Sequence, residues 1–142
     1  MANDLATPDG EVTRIIADMA RPNGLCVSAD GGLLYVADSA RKTIRAYELK
    51  ADGSVGSGRD FAVLSEDQGT PDGMAVDVRG NLYCAAAGVL VFAPTGELLG
   101  VVEVPETASN CAFGGSDGRT LFITAGHSVY SIRLTMPGLL SG

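Results

Sequence analysis

Apolar and polar residues alternate with period two over short stretches along most of the chain. Residues 43–49 and 128–134 carry this pattern most plainly, and 89–92 is read as a strand with them. Successive side chains of a strand point to opposite faces, so period two predicts strands, not helices. Further strands are predicted at 60–64 and 97–103. Turn signals separate the stretches: Asp9-Gly10, Asp30-Gly31, Asp52-Gly53, Thr95-Gly96 and Asp117-Gly118. Asp-Gly supplies the left-handed backbone that tight hairpins require. Residues 11–19 read as a helical turn or a strand, and their β-branched run favours a strand.

Self-similarity groups these strands into units. Arg21-Pro22-Asn23-Gly24-Leu25 leads to Leu34-Tyr35-Val36-Ala37-Asp38. Thr70-Pro71-Asp72-Gly73-Met74 leads to Leu82-Tyr83-Cys84-Ala85. Ser109-Asn110-Cys111-Ala112 leads to Leu121-Phe122-Ile123-Thr124. Each unit opens on Asn or Asp, crosses a short apolar strand, turns at glycine and resumes at an aromatic. The Asn/Asp-to-aromatic spacing is 12, 11 and 12 residues, and the openings lie 49 and then 38 residues apart. Periods of about 40–50 residues with several short strands each mark propeller blades. The predicted fold class is therefore all-β, a β-propeller of which this chain supplies three four-stranded blades. Residues 11–17 would give the last blade its missing outer strand if a ring closes that way. Tyr35, Tyr83 and Phe122 share one repeat position and are expected to pack between blades.

Composition sharpens this picture. Glycine is 19 of 142 residues, about 13% against an average near 7%, which suits many turns. The formal charge is −7. An acidic chain does not neutralise phosphates, so neither nucleic acid nor an anionic membrane is an expected partner. No apolar run is long enough to span a bilayer. Met1-Ala2-Asn3-Asp4-Leu5 lacks a leader pattern, so a cytoplasmic location is expected. Cys26, Cys84 and Cys111 are too far apart for a CxxC site and odd in number, and read as buried thiols. His127 is the one histidine, which excludes sites needing two imidazoles.

The first strand of a propeller blade lines the central channel, so the repeat openings aim Asn23, Asp72 and Asn110 at one axis. Hard cations such as Ca²⁺ are held by carboxylate, amide and water oxygens. Asn and Asp before glycine are also ordinary turn formers. Asn23 and Asp72, however, each follow a proline at a repeat opening, a slot distinct from the Asp-Gly hairpins. His127, in a turn before a strand, is either a solvated loop residue or lines the channel.

These segments resemble the senescence marker protein / gluconolactonase / luciferin-regenerating-enzyme-like family, and the resemblance runs over nearly all of residues 10–134. It implies a six-bladed propeller with one divalent metal ion in its channel, Ca²⁺ first, with Zn²⁺, Mg²⁺ or Mn²⁺ as alternatives. It implies hydrolysis of a small-molecule sugar lactone, the metal polarising the lactone carbonyl. Asn23 and Asp72 match the metal ligands, Asp72 doubling as general base, while Asn110 and His127 would line the channel. No early Glu motif and no Asn-Asp-Gly motif is present. Residues 1–142 then form the C-terminal half of a propeller domain, with 135–142 a fraying tail. Such a half implies either a missing N-terminal half or a homodimer that completes the ring. The rival functions are an inactive propeller acting as a binding module and a phosphotriesterase-like hydrolase.

Overall fold

The computed structural model of the protein describes residues 10–139. Among the described residues, eleven strands form three antiparallel sheets. The first is β1 (Pro22–Val27), β2 (Leu33–Asp38), β3 (Thr43–Leu49) and β4 (Val55–Val63). The second is β5 (Met74–Val76), β6 (Leu82–Ala85), β7 (Val89–Phe92) and β8 (Leu98–Val102). The third is β9 (Ala108–Gly114), β10 (Thr120–Ala125) and β11 (Ser128–Arg133). Each sheet is a meander in chain order, and the first strands β1, β5 and β9 stand side by side. This is the stacked-blade arrangement of a propeller. The glycines of Asp30-Gly31, Asp52-Gly53 and Asp117-Gly118 take φ of 78°, 86° and 71°, the conformation those hairpins need.

The apolar residues fill the gaps between sheets. One cluster joins the first and second sheets through Tyr35, Ile44, Phe61, Met74, Leu82 and Phe92. A second joins the second and third through Tyr83, Val89, Cys111, Leu121 and Ile123. Aromatic edges lock both gaps. Phe61 stands 4.9 Å from Tyr35 and 6.1 Å from Phe92, and Tyr83 stands 5.0 Å from Phe113, all T-shaped. Such pairs add about 0.5–1.5 kcal/mol each beyond their buried area. Tyr35 and Tyr83 thus pack between blades as expected. Phe122 does not: it is 44% exposed, because among the described residues no further sheet covers its face of the third sheet.

Two other expectations are corrected. Residues 11–17 form no strand, because among the described residues no sheet edge runs alongside them. Instead Arg14, Ile15, Ile16 and Met19 lie over Leu25, Leu34 and Val36 on the open face of the first sheet. Asp18 secures them, accepting from the Tyr47 hydroxyl at 3.1 Å and, through its carbonyl, from Arg41 at 3.0 Å. The third sheet accordingly has three strands, not four. At the other end, residues 135–139 are held, not frayed. Val78 N–H donates to Pro137 O, Gly138 N–H to Gly118 O and Leu139 N–H to Val76 O, at 3.1, 2.8 and 2.9 Å. Gly138 is buried against Phe113, where any side chain would overlap the ring. Residues 140–142 lie outside the described residues.

Asp38 ends β2 with its carboxylate buried. It accepts from the backbone N–H groups of Ala20 (2.8 Å), Arg21 (3.1 Å), Ala40 (3.1 Å) and Arg41 (3.2 Å). One side chain therefore ties the approach to β1 to the β2–β3 turn. Burial pushes its pKa up, but the N–H donors of Ala20, Arg41 and Arg21 and the Arg41 charge outweigh it, holding it below the ordinary value. A depressed carboxylate pKa stabilises the fold above the unfolded-chain value, and that stability is lost as pH falls through the folded value. Asp38→Ala strands several buried donors, so a loss of about 2–4 kcal/mol is expected. Urea unfolding at neutral pH measures it. The difference between Asp38→Ala and the parent should shrink as pH drops below about 4, where the unfolded carboxyl titrates. A pH-independent difference contradicts this account.

Candidate functional site

Asn23 sits near the start of β1, Asp72 directly before β5 and Asn110 in β9. Because the inner strands stand side by side, all three residues line one open cleft of about 560 Å³, with Gly24, Gly73 and Ser109 between them. The backbone of each opening is tied to the next strand or sheet. Asp72 N–H donates to Ala85 O at 3.0 Å, and Ala85 N–H returns to Gly73 O at 2.9 Å. Gly73 N–H crosses to Ser109 O of the third sheet at 2.9 Å. The two motif glycines are required by this approach. A methyl on Gly24 would meet the Asp72 backbone and lie 2.8 Å from the Gly73 Cα. A methyl on Gly73 would meet the Asn110 side chain and lie 2.8 Å from its Cα.

The strand register corrects the alignment of the third opening. Cys26 pairs with Tyr35, Ala75 with Tyr83 and Ala112 with Phe122. Counting back along each inner strand puts Asn23, Asp72 and Ser109 in one slot. Gly24, Gly73 and Asn110 occupy the next. The glycine contacts agree, since each member of the second slot meets the next one. Spacing from Asn to the aromatic concealed this, because the β9–β10 hairpin is one residue longer than β1–β2 and two longer than β5–β6, which shifts the count. Ser109 is the cleft residue that spacing missed. Its hydroxyl lies 2.9 Å from the Thr124 hydroxyl and 3.2 Å from the Thr124 carbonyl.

The polar groups differ in what they leave free. Asn23 donates its amide N–H to the Ser39 hydroxyl at 3.1 Å, which leaves its Oδ1 available to a ligand. The Asn110 Oδ1 is occupied, accepting from the Cys111 N–H at 2.9 Å. Asp72 is half-buried, and among the described residues none forms an ion pair with it. Burial raises its pKa, opposed by the Gly73 N–H, which lowers it less. The cleft therefore presents one carboxylate without a counter-charge and one free amide oxygen. Both are hard oxygen donors, the type that Ca²⁺ and Mg²⁺ take. Two such donors make a partial shell. Among the described residues no group of three or more His, Cys, Asp and Glu could hold a metal ion.

His127 stands apart. It is exposed in the β10–β11 hairpin, its backbone N–H donating to Glu106 at 3.3 Å, and it is not among the residues lining the cleft. Glu106 also accepts from the Tyr130 hydroxyl at 2.5 Å. The cysteine thiols are no rival nucleophiles. Burial pushes Cys26, Cys84 and Cys111 each up to about 12, so they stay protonated.

Comparison with known proteins agrees with the fold. The SMP-30/gluconolactonase/LRE-like region matches residues 5–127. A gluconolactonase of Zymomonas mobilis is 42% identical over 138 residues, covering 89% of this chain and 38% of that protein. A regucalcin of Danio rerio is 33% identical over 126 residues, covering 84% and 43%. Among solved structures, a gluconolactonase from Xanthomonas campestris superposes with a TM-score of 0.77 at 37% identity, covering 93% of this chain and 42% of that one. The chain thus spans under half the length of each of these proteins.

Proposed function

From the premise that the chain belongs to the SMP-30/gluconolactonase/LRE-like family, we propose that it forms part of a metal-dependent hydrolase of sugar lactones. The observation that carries this reading is the shared cleft, in which the Asp72 carboxylate and the free Asn23 oxygen open side by side from adjacent sheets. Asn23 and Asp72 would hold one divalent cation, Ca²⁺ by the hardness of the donors, and when bound it supplies Lewis-acid polarisation of the lactone carbonyl.

The residues of the chain do the rest. Asn23 orients an oxygen without adding charge. Asp72 serves as the general base. Water adds to the lactone carbonyl carbon while its proton passes to the Asp72 carboxylate. The ring C–O bond then breaks, the leaving oxygen takes the proton back, and the product is the open hydroxy acid.

Gluconolactone hydrolysis by the purified protein, followed as acid release, tests the reading. Hydrolysis should stop on treatment with a chelator and return on addition of Ca²⁺. A rate indifferent to chelation overturns it. An organophosphate ester, run in parallel, should be turned over far more slowly, and the reverse preference would assign the site to phosphotriester chemistry.

A further inference from the structure

We propose that a cavity between the first and second sheets, at the end away from the cleft, is a second ligand site that takes a small singly charged carboxylate on the Tyr35 hydroxyl and Arg79. This goes beyond the lactonase reading and does not rest on it.

The cavity measures about 220 Å³. Ser28, Asp30 and Tyr35 of the β1–β2 hairpin border one side, and Arg79, Gly80 and Pro94 from turns of the second sheet border the other. It lies past the ends of β1 and β5, whose openings carry Asn23 and Asp72, so a strand length separates it from the cleft. Its size is below the roughly 300–1,000 Å³ of pockets for drug-sized molecules, so it suits a small one.

The repeat makes Tyr35 the exception. Cys26 pairs with Tyr35, Ala75 with Tyr83 and Ala112 with Phe122. Two residues further along the chain from each inner-strand partner come Ser28, Asp77 and Gly114. In the second sheet Asp77 is buried and accepts from the Tyr83 hydroxyl at 3.0 Å. The Asp77 carboxylate is held in turn by the Arg79 and Asn81 N–H groups at 2.9 and 3.0 Å. The third sheet has no hydroxyl to satisfy, because its aromatic is Phe122. The first sheet keeps the hydroxyl and lacks the carboxylate. Ser28 stands in its place and is already engaged, donating to Asp30 at 2.7 Å and accepting from the Leu33 N–H at 2.9 Å.

Tyr35 is thus left with an unmet hydroxyl. The residue is 1% exposed, its ring held edge-on to Phe61. Among the described residues the hydroxyl has no hydrogen-bond partner. No buried side-chain oxygen or nitrogen among them is sealed off without one, so the hydroxyl opens onto the cavity that Tyr35 borders. Burial raises its pKa, so it stays a neutral donor.

The charges choose the ligand. Arg79 forms no ion pair among the described residues. A guanidinium presents a fork that matches the two oxygens of a carboxylate. Arg59, 5.8 Å over the Phe61 ring, adds positive charge nearby. A carboxylate in the cavity would be to Tyr35 what Asp77 is to Tyr83, an acceptor for the hydroxyl. Asp30 supplies the limit. Its Oδ1 is turned to the Ser28 hydroxyl and the Gly32 N–H, at 2.7 and 2.9 Å. Its charge remains at the rim and counts against a dianion such as phosphate.

Titration of the 142-residue chain with acetate, followed by amide NMR and calorimetry, tests the proposal, with phosphate at equal ionic strength alongside. Acetate should bind saturably in the millimolar range and shift the amides of residues 28–35 and 79–80. Tyr35→Phe and Arg79→Gln should each weaken it about tenfold, the loss of one charge-assisted hydrogen bond. Melting separates a binding role from a packing one. Tyr35→Phe should melt no lower than the parent, because the hydroxyl it removes has no partner among the described residues. Tyr83→Phe, which strips Asp77 of a donor, should melt several degrees lower. No saturable acetate binding overturns the proposal. Binding unmoved by Tyr35→Phe or by Arg79→Gln, or tighter binding of phosphate, overturns it too. So does a fall in melting temperature for Tyr35→Phe that equals the fall for Tyr83→Phe.

Discussion

Asp72→Asn is expected to cut lactone hydrolysis by at least about 100-fold, the lower bound for losing a positioned general base. The change is nearly isosteric, and among the described residues Asp72 has no ion-pair partner to strand. Stability should therefore hold or rise slightly, since the variant removes a carboxylate whose burial disfavours its charge. The two readouts separate the roles. If the carboxylate serves as base and ligand, activity and cation-dependent stabilisation vanish together. If it is only a turn residue before Gly73, both survive. Thermal melts with and without Ca²⁺, beside initial rates on gluconolactone, measure this, and activity above a few per cent of the parent refutes the assigned role.

Gly24→Ala is expected to be strongly destabilising. The added carbon would lie 2.5 Å from the Asp72 carbonyl carbon and 2.8 Å from the Gly73 Cα. Both obstacles are backbone, so no rotamer change relieves them, and the first two sheets must part at the channel. Overpacking of this kind costs about 3 kcal/mol, roughly a 10 °C fall in the melting temperature for a chain of this size. The displaced backbone carries Asp72, so hydrolysis should fall with it. Gly100→Ala is the control, because nothing lies within 4 Å of that position. Equal melting temperatures for the two variants would contradict the close approach.

The strand pattern was readable because short apolar-rich stretches are bounded by the turn residues that close the hairpins. Residues 43–49 and 89–92 are β3 and β7, with bounds that coincide with those strands. The proline-led openings were readable because Gly24 and Gly73 meet a steric demand that no other residue satisfies. Three features were hidden. The register at Ser109 depends on the length of one hairpin, which spacing between side chains does not report. The fate of residues 11–17 depends on which sheet edge is within reach, a property of the assembly and not of the segment. The clasp at residues 135–139 consists of backbone hydrogen bonds, which leave no mark in side-chain chemistry. Phe122 shares its repeat position with Tyr35 and Tyr83 but not their burial, because identical pattern meets a neighbour in two cases and none in the third.

Both apolar clusters lie between sheets, and this governs how the molecule opens. No sheet owns a core, so none can hold its shape once its neighbour leaves. Opening should proceed from the ends, each flank unzipping as a unit while the centre survives, as in nearest-neighbour repeat chains. The second sheet, β5–β8, is covered on both faces, so its amides should be the last to exchange with solvent, Cys84 and Leu90 among them. The flank nearer Phe122 gives way early, and a transiently detached third sheet exposes Leu121 and Ile123. The weakest part of the molecule under stress is therefore one whole blade, and its loss unseals the next.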